Sequence, residues 1–290
     1  MYNNTYNNID NIYFASYNYM YKIVHYKSHY YKGGTYKMPT KIIALANQKG
    51  GVAKTTSTYN LGVSLAKRGK QVLLVDLDPQ ASLTICAGLE PYDYEANIIT
   101  LLQGTQTPTA CIQPIKDNLS IITSSIALAS LEVGLVARTM RELILKKALK
   151  QISAPYDYIL IDCPPQLSIL TINALSCADY VLIPSKTDYL SYRGIEQLLD
   201  TIAVTREECN DTLEVMGVIA TMYEQKIVDS REVLSALSKN YNVLGVTKKL
   251  SIVNKGVYDG LAVVEQSTTN AIAVEYEKIC DYIQQKCEVA

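Results

Sequence analysis

Residues 42–56 read Ile-Ile-Ala-Leu-Ala-Asn-Gln-Lys-Gly-Gly-Val-Ala-Lys-Thr-Thr, and no other stretch limits the fold as strongly. An apolar strand runs into a loop with two adjacent glycines, and a helix begins at once. Such a loop can turn several backbone N–H groups onto one anion, and the helix N-terminus adds its partial positive charge. Gly50, Gly51, Val52 and Ala53 form the cradle; Lys54 can neutralise β/γ-phosphate oxygens, the Thr55 hydroxyl suits Mg2+, and Thr56 is counted with them as a phosphate-binding residue. The ordinary pattern G-x-x-x-x-G-K-[ST] fails, because Gln48 and Ala53 stand at its glycine positions. What fits is K-G-G-x-x-K-T-T, with a second lysine, Lys49, at the front.

After Met38, short β-branched and Leu runs alternate with amphipathic stretches, the pattern of strand-helix units around a mostly parallel sheet. Strands are predicted at 41–46, 71–76, 119–123, 158–162, 180–184 and 215–221. Helices are predicted at 54–68, 126–152, 168–177, 190–207, 229–239 and 270–286. With no internal repeat and no linker, residues 38–290 read as one domain.

Residues 1–37 read differently. They hold ten of the 23 tyrosines, the single phenylalanine and both histidines, without helical or strand periodicity. They lack the apolar stretch of a signal peptide and the Arg/Ser bias of a transit peptide. The segment is read as a disordered leader with two origins left open. One is AT-rich upstream sequence translated in frame, with Met38 as the natural start and Lys32-Gly33-Gly34 encoded by a ribosome-binding site; the other is a genuine Tyr-rich tail. Intact mass of the protein from its native host separates the two.

The 253 residues that follow contain no histidine. This removes Ser-His-Asp and Cys-His nucleophile systems and most catalytic zinc sites. The seven cysteines form no C-x-x-C pair and read as reduced, mostly buried thiols of a cytosolic protein. The leader holds four lysines and one aspartate, so a whole-chain charge of −1 becomes −4 over residues 38–290. Any nucleic-acid contact must therefore come from a local patch.

The K-G-G-x-x-K-T-T loop resembles the deviant Walker A of the ParA/Soj/MinD-type ATPases, and the resemblance continues along residues 40–285. Val72-Leu73-Leu74-Val75-Asp76-Leu77-Asp78-Pro79-Gln80 resembles that family's D-x-D-P-Q segment. Tyr156-Asp157-Tyr158-Ile159-Leu160-Ile161-Asp162-Cys163-Pro164-Pro165 resembles its Walker B strand and switch II. Asn173-Ala174-Leu175 and Ala178-Asp179-Tyr180-Val181-Leu182-Ile183-Pro184 follow in its order. The resemblance implies an α/β, P-loop NTPase-type three-layer fold, a mostly parallel twisted sheet with helices on both faces, that binds ATP and Mg2+. It implies that Lys49 reaches across an ATP-dependent homodimer to the partner's phosphates. It also implies that Asp78 orients the attacking water, Asp76 supports the metal shell, and Asp162 holds Mg2+ through a water. Met222-Tyr223 flank the adenine or serve the core; both readings stay open. Ala53 departs from the usual glycine, and its Cβ is expected to tune affinity.

Within the family, the cysteine pattern fits no iron-sulfur relative. Residues 275–290 carry a net −2 charge, which anionic lipid repels, so no membrane partner is expected. Lys248, Lys249 and Lys255 fall where the family has its basic segment, and read either as a patch for nonspecific double-stranded DNA or as a solvated loop. The implied function is plasmid or chromosome partitioning with a centromere-binding ParB-type partner, in the cytoplasm and on the nucleoid when ATP is bound. A nucleotide-gated transcriptional regulator or scaffold, and a MinD-like membrane switch, are the alternatives.

Overall fold

The computed structural model describes residues 39–249, 256 and 259–289, the side chain of Val289 excepted; the leader and Lys255 lie outside the described residues. The strands are β1 (Lys41–Leu45), β2 (Val72–Asp76), β3 (Ile112–Lys116), β4 (Leu119–Ile122), β5 (Tyr158–Asp162), β6 (Tyr180–Lys186), β7 (Glu214–Tyr223) and β8 (Val243–Lys248). They form one sheet in the order β3-β4-β2-β5-β1-β6-β7-β8. All pairings are parallel except that of β3 with β4 at one edge.

The helices are α1 (Lys54–Lys67), α2 (Ser82–Cys86), α3 (Ile98–Gln103), α4 (Pro108–Cys111), α5 (Leu128–Leu135), α6 (Ile144–Leu149), α7 (Ile169–Cys177), α8 (Tyr189–Glu208), α9 (Val228–Asn240), α10 (Val263–Gln266) and α11 (Ala271–Val289). They cover both faces of the sheet, which explains why the central strands are apolar runs without alternation. Along β1, Ile43 and Leu45 join Leu61 and Leu65 of α1 and Tyr276, Ile279 and Ile283 of α11 in one core layer. Ala44 and Ala46 join Leu170 and Ala174 of α7 and Ile195 and Leu198 of α8 in the other. The three-layer fold read from the sequence is what the chain adopts. α1 lies so close to β2 that a Cβ on Gly62 would stand 2.6 Å from Leu74 Cδ2, so a larger residue there would have to displace the Leu74 side chain.

Two strands, the short helices α2, α3, α4 and α10, and one long helix differ from expectation. β3 contains Pro114, which breaks the strand pattern in sequence and is tolerated only because β3 is an edge. β8 contains Gly245, placed where a Cβ would come within 2.8 Å of Ile279 of α11. The single helix expected over 126–152 is instead α5, a 3-10 turn at Arg141–Leu143 and α6, with Met140 in a left-handed conformation (φ 54°). Asn173 of α7 holds this break open: its Nδ2 donates to the Arg141 carbonyl at 2.8 Å and its Oδ1 accepts from Leu145 N–H at 3.0 Å. A buried amide satisfied on both sides pins a break that periodicity alone does not signal.

All seven cysteines are free, with Cys86 and Cys209 only partly buried. Among the described residues no helix is long and apolar enough to cross a membrane. The apolar face of α11 is covered by the core, and Arg68 clamps its outer face, donating to Glu277 Oε2 at 2.6 Å and to Asp281 Oδ1 at 2.8 Å.

Candidate functional site

β1 leaves the sheet between β5 and β6, and the loop that follows it lies at the carboxyl ends of the parallel strands, where doubly wound sheets bind ligand. Asn47 braces the entry, donating through Nδ2 to the Pro184 carbonyl at 2.7 Å and accepting from Lys49 N–H at 2.9 Å. Thr221 braces the centre, its hydroxyl donating to the Val52 carbonyl at 3.1 Å. Gly51 (φ 70°) and Ala53 (φ 62°, ψ 34°) are both left-handed, Ala53 standing directly before α1. Among the described residues, the backbone N–H groups from Gly50 to Thr56 have no hydrogen-bond acceptor. A run of free donors at a helix start is a binding site for an anion with several oxygens.

Lys54 is buried, and its Nζ donates to the Lys49 carbonyl at 3.1 Å. Burial pulls its ammonium below the ordinary lysine value, against the opposing pull of Asp162 and Asp78. Lys49 is partly exposed and pairs with Asp188, Nζ to Oδ1 at 3.6 Å.

The carboxylates come from the next strands. Asp162 ends β5 fully buried and accepts from Thr55 Oγ1 at 2.7 Å and from Thr58 Oγ1 at 3.3 Å. Asp76 ends β2 opposite Asp162 in register, also fully buried. Its Oδ2 accepts from Thr84 N–H and from Thr84 Oγ1, each at 2.8 Å, and its Oδ1 from Asp78 N–H at 3.2 Å. Burial, reinforced by the charge of Asp76, pushes the Asp162 carboxyl up to about 8. Burial pushes Asp76 up to about 7 against the Thr84 and Asp78 donors. Asp78 is partly exposed; its Oδ1 accepts from Gln80 N–H at 2.9 Å and its carbonyl from Ser124 Oγ at 2.8 Å.

The residues of the loop and the three aspartates named from sequence thus converge on one edge. Met222 (φ 54°) and Tyr223 end β7, one residue beyond the Thr221 brace, and both are partly buried. Lys248 pairs in register with Tyr223 and is exposed together with Lys249. Asn47, Thr58, Thr84, Asp188 and Thr221 carry no signal of a site role in the sequence: Thr58, Asp188 and Thr221 meet partners far along the chain, and Asn47 and Thr84 are of types common in loops and helices. An oxygen-only donor set of one hydroxyl and neighbouring carboxylates fits a hard divalent cation such as Mg2+. Among the described residues no cluster of three His, Cys, Asp or Glu side chains could cage a metal alone.

Residues 40–215 match the model of a family described as AAA domain. The chain is 42% identical over 202 residues to the sporulation initiation inhibitor protein Soj of Bacillus subtilis, a match covering 69% of this chain and 80% of Soj. It is 38% identical over 192 residues to the chromosome partitioning protein ParA of Caulobacter vibrioides, covering 65% of this chain and 72% of ParA. An uncharacterized Mycobacterium tuberculosis protein is 39% identical over 208 residues, 71% of this chain, which spans 65% of that protein's length. Among solved structures, cobyrinic acid a,c-diamide synthase from Mycobacterium smegmatis with ADP and magnesium superposes with a TM-score of 0.74 at 31% identity, covering 87% of this chain and 97% of that one. A putative plasmid partition protein from Borrelia burgdorferi bound to AMPPNP gives 0.74 at 26% identity, covering 86% and 100%. By its loop, its two strand-end carboxylates and these matches, the chain belongs to the ParA/Soj-type family of partition ATPases.

Proposed function

We propose that this protein is a Mg2+-dependent ATPase that dimerises on ATP, binds double-stranded DNA nonspecifically and drives partition of a plasmid or chromosome with a ParB-type partner. One observation carries the reading: Thr55 donates to the buried Asp162 beside a loop whose backbone N–H groups are free. A polyanion and its counter-cation are what such a pair of features lacks.

In this reading the free N–H groups and Lys54 hold the triphosphate, and Thr55 with Asp162 holds Mg2+, which when bound supplies neutralisation of phosphate charge. Asp76, its oxygens filled by Thr84 and Asp78, fixes the backbone that carries Asp78. Asp78, partly exposed, orients the attacking water. Lys49 completes the phosphate contacts of the opposite subunit, which makes turnover depend on assembly. Met222 and Tyr223 flank the adenine, and Lys248, Lys249 and Lys255 form the DNA patch. No histidine is needed, because phosphoryl transfer rests on positioning and charge. Docking of α11 into the core favours this reading over a membrane switch, since its apolar face is taken.

Turnover of MgATP, alone and with DNA and the partner protein, tests the proposal. Slow basal hydrolysis raised at least severalfold by both together is expected. Binding of ATP with no turnover under any combination points instead to a ligand-gated regulator.

A further inference from the structure

We infer that Asp188 is a positioning residue for Lys49: it tethers the lysine within its own subunit and competes with the partner's phosphates for it. The inference rests on the reading that Lys49 acts across the dimer. Nothing in the loop motif assigns a role to Asp188, which lies 139 positions further along the chain, just beyond β6.

Asp188 is held from three sides. Its Oδ1 caps α8, accepting from Ser191 N–H at 2.8 Å, and its Oδ2 pairs with Lys186 Nζ at 3.0 Å. Lys49 Nζ takes the remaining direction at 3.6 Å from Oδ1. Burial opposes the charge on Asp188, but the Ser191 and Lys186 donors outweigh it and hold the carboxyl below the usual range. These donors favour the charged form of the carboxyl. The Lys49 backbone is fixed as well, its N–H on Asn47 and its carbonyl on Lys54. Only the Lys49 side chain is free to swing. It opens on a cleft of about 380 Å3 lined also by Gln48, Leu190 and Arg193, with room for the side chain to leave Asp188.

Both loop lysines thus have internal partners, Lys54 a carbonyl that accepts its hydrogen bond and Lys49 a carboxylate that forms an ion pair. Before Lys49 can reach a phosphate in another subunit it must give up Asp188. At 36% and 26% side-chain exposure the pair is of the weak, partly solvated class, worth about a two- to threefold factor in an equilibrium constant. A symmetric dimer breaks two such pairs, so the tether weakens assembly about four- to tenfold. It keeps the subunits apart until nucleotide is abundant, without touching nucleotide itself.

Asp188→Asn tests this, because asparagine still caps α8 from Ser191 N–H and only the charge is lost. Dimerisation with Mg2+ and a non-hydrolysable ATP analogue is measured by sedimentation. The expected result is a dimer dissociation constant about four- to tenfold lower than that of the original protein, at an unchanged melting temperature. The gap should close between 50 mM and 1 M salt, which a merely structural change would not produce. An unchanged or higher dissociation constant, or a gap that ignores salt, overturns the tether. Lys49→Ala separates the two readings. If it still dimerises, the trans role of Lys49 fails and the tether with it; if it stays monomeric while Asp188→Asn matches the original protein, the tether alone fails.

Discussion

Asp76 and Asp162 stand side by side at the ends of neighbouring parallel strands, both fully buried, and each accepts a hydrogen bond from a threonine hydroxyl. Two carboxyls buried this close together are a cost that the fold carries for its site. Their carboxyls sit at about 7 and about 8, above the ordinary carboxylate value. The folded protein therefore holds protons that the unfolded chain has already released.

The sign follows for stability. Between about pH 4 and pH 8 the folded state binds more protons than the unfolded state, so stability of the ligand-free protein falls as pH rises through this range. A drop on the order of a few kcal/mol is expected by chemical denaturation between pH 5 and pH 8.5. Asp162→Asn should flatten this slope and raise the melting temperature at pH 8 while abolishing Mg2+-dependent nucleotide binding. A ligand-free protein most stable at pH 8.5 contradicts the assignment.

Ala53 occupies a left-handed conformation that costs a residue with a Cβ about 1 kcal/mol relative to glycine. Ala53→Gly should leave stability level or raise it by up to about 1 kcal/mol, and equilibrium MgATP affinity should rise up to severalfold. Ala53→Val, with a branched Cβ, should lose more than 1 kcal/mol. A fall in ATP affinity for the glycine variant, measured by calorimetry, would show that the alanine Cβ is not a hindrance.

Thr84 supplies two of the three donors that satisfy Asp76. Thr84→Val keeps the backbone N–H and the volume but leaves Oδ2 with one donor, at a cost of about 1–3 kcal/mol. Because Thr84 Oγ1 also accepts from Ser124 N–H at 3.0 Å, the loop bearing Asp78 should loosen. The expected kinetic result is a lower kcat with KM for MgATP nearly unchanged. A rise in KM with normal kcat would place Thr84 in nucleotide binding instead.

The central sheet was legible because β1, β2 and β5 are apolar on both faces, which only a helix-covered parallel sheet produces. β3 and β8 were not, since Pro114 and Gly245 break the strand pattern for reasons that exist only at the sheet edge and under α11. The same division runs through the site. Lys49, Lys54, Thr55, Asp76 and Asp162 announce themselves by spacing along short segments. Asp188 and Thr221 meet the site at sequence separations that no local pattern spans, and Thr84, although near Asp76 in sequence, is of a type common in helices.

Lys248 and Lys249 follow from the same sheet geometry. β8 lies beside β7, Tyr223 pairs with Lys248, and both lysines reach solvent at the strand's carboxyl end, the edge that carries the nucleotide loop. With a whole-chain charge of −1, two lysines cannot hold duplex DNA alone, but the proposed dimer would double the proposed patch. Each phosphate contact contributes about −0.9 to the slope of log affinity against log salt. Lys248→Glu with Lys249→Glu should therefore reduce ATP-dependent binding to a nonspecific duplex by at least tenfold and make the salt slope shallower by up to about 4 per dimer. ATP binding and dimerisation should persist, since neither residue touches the phosphate loop. Duplex binding that survives the double substitution, or that needs no ATP in the original protein, places the DNA contact elsewhere on the chain.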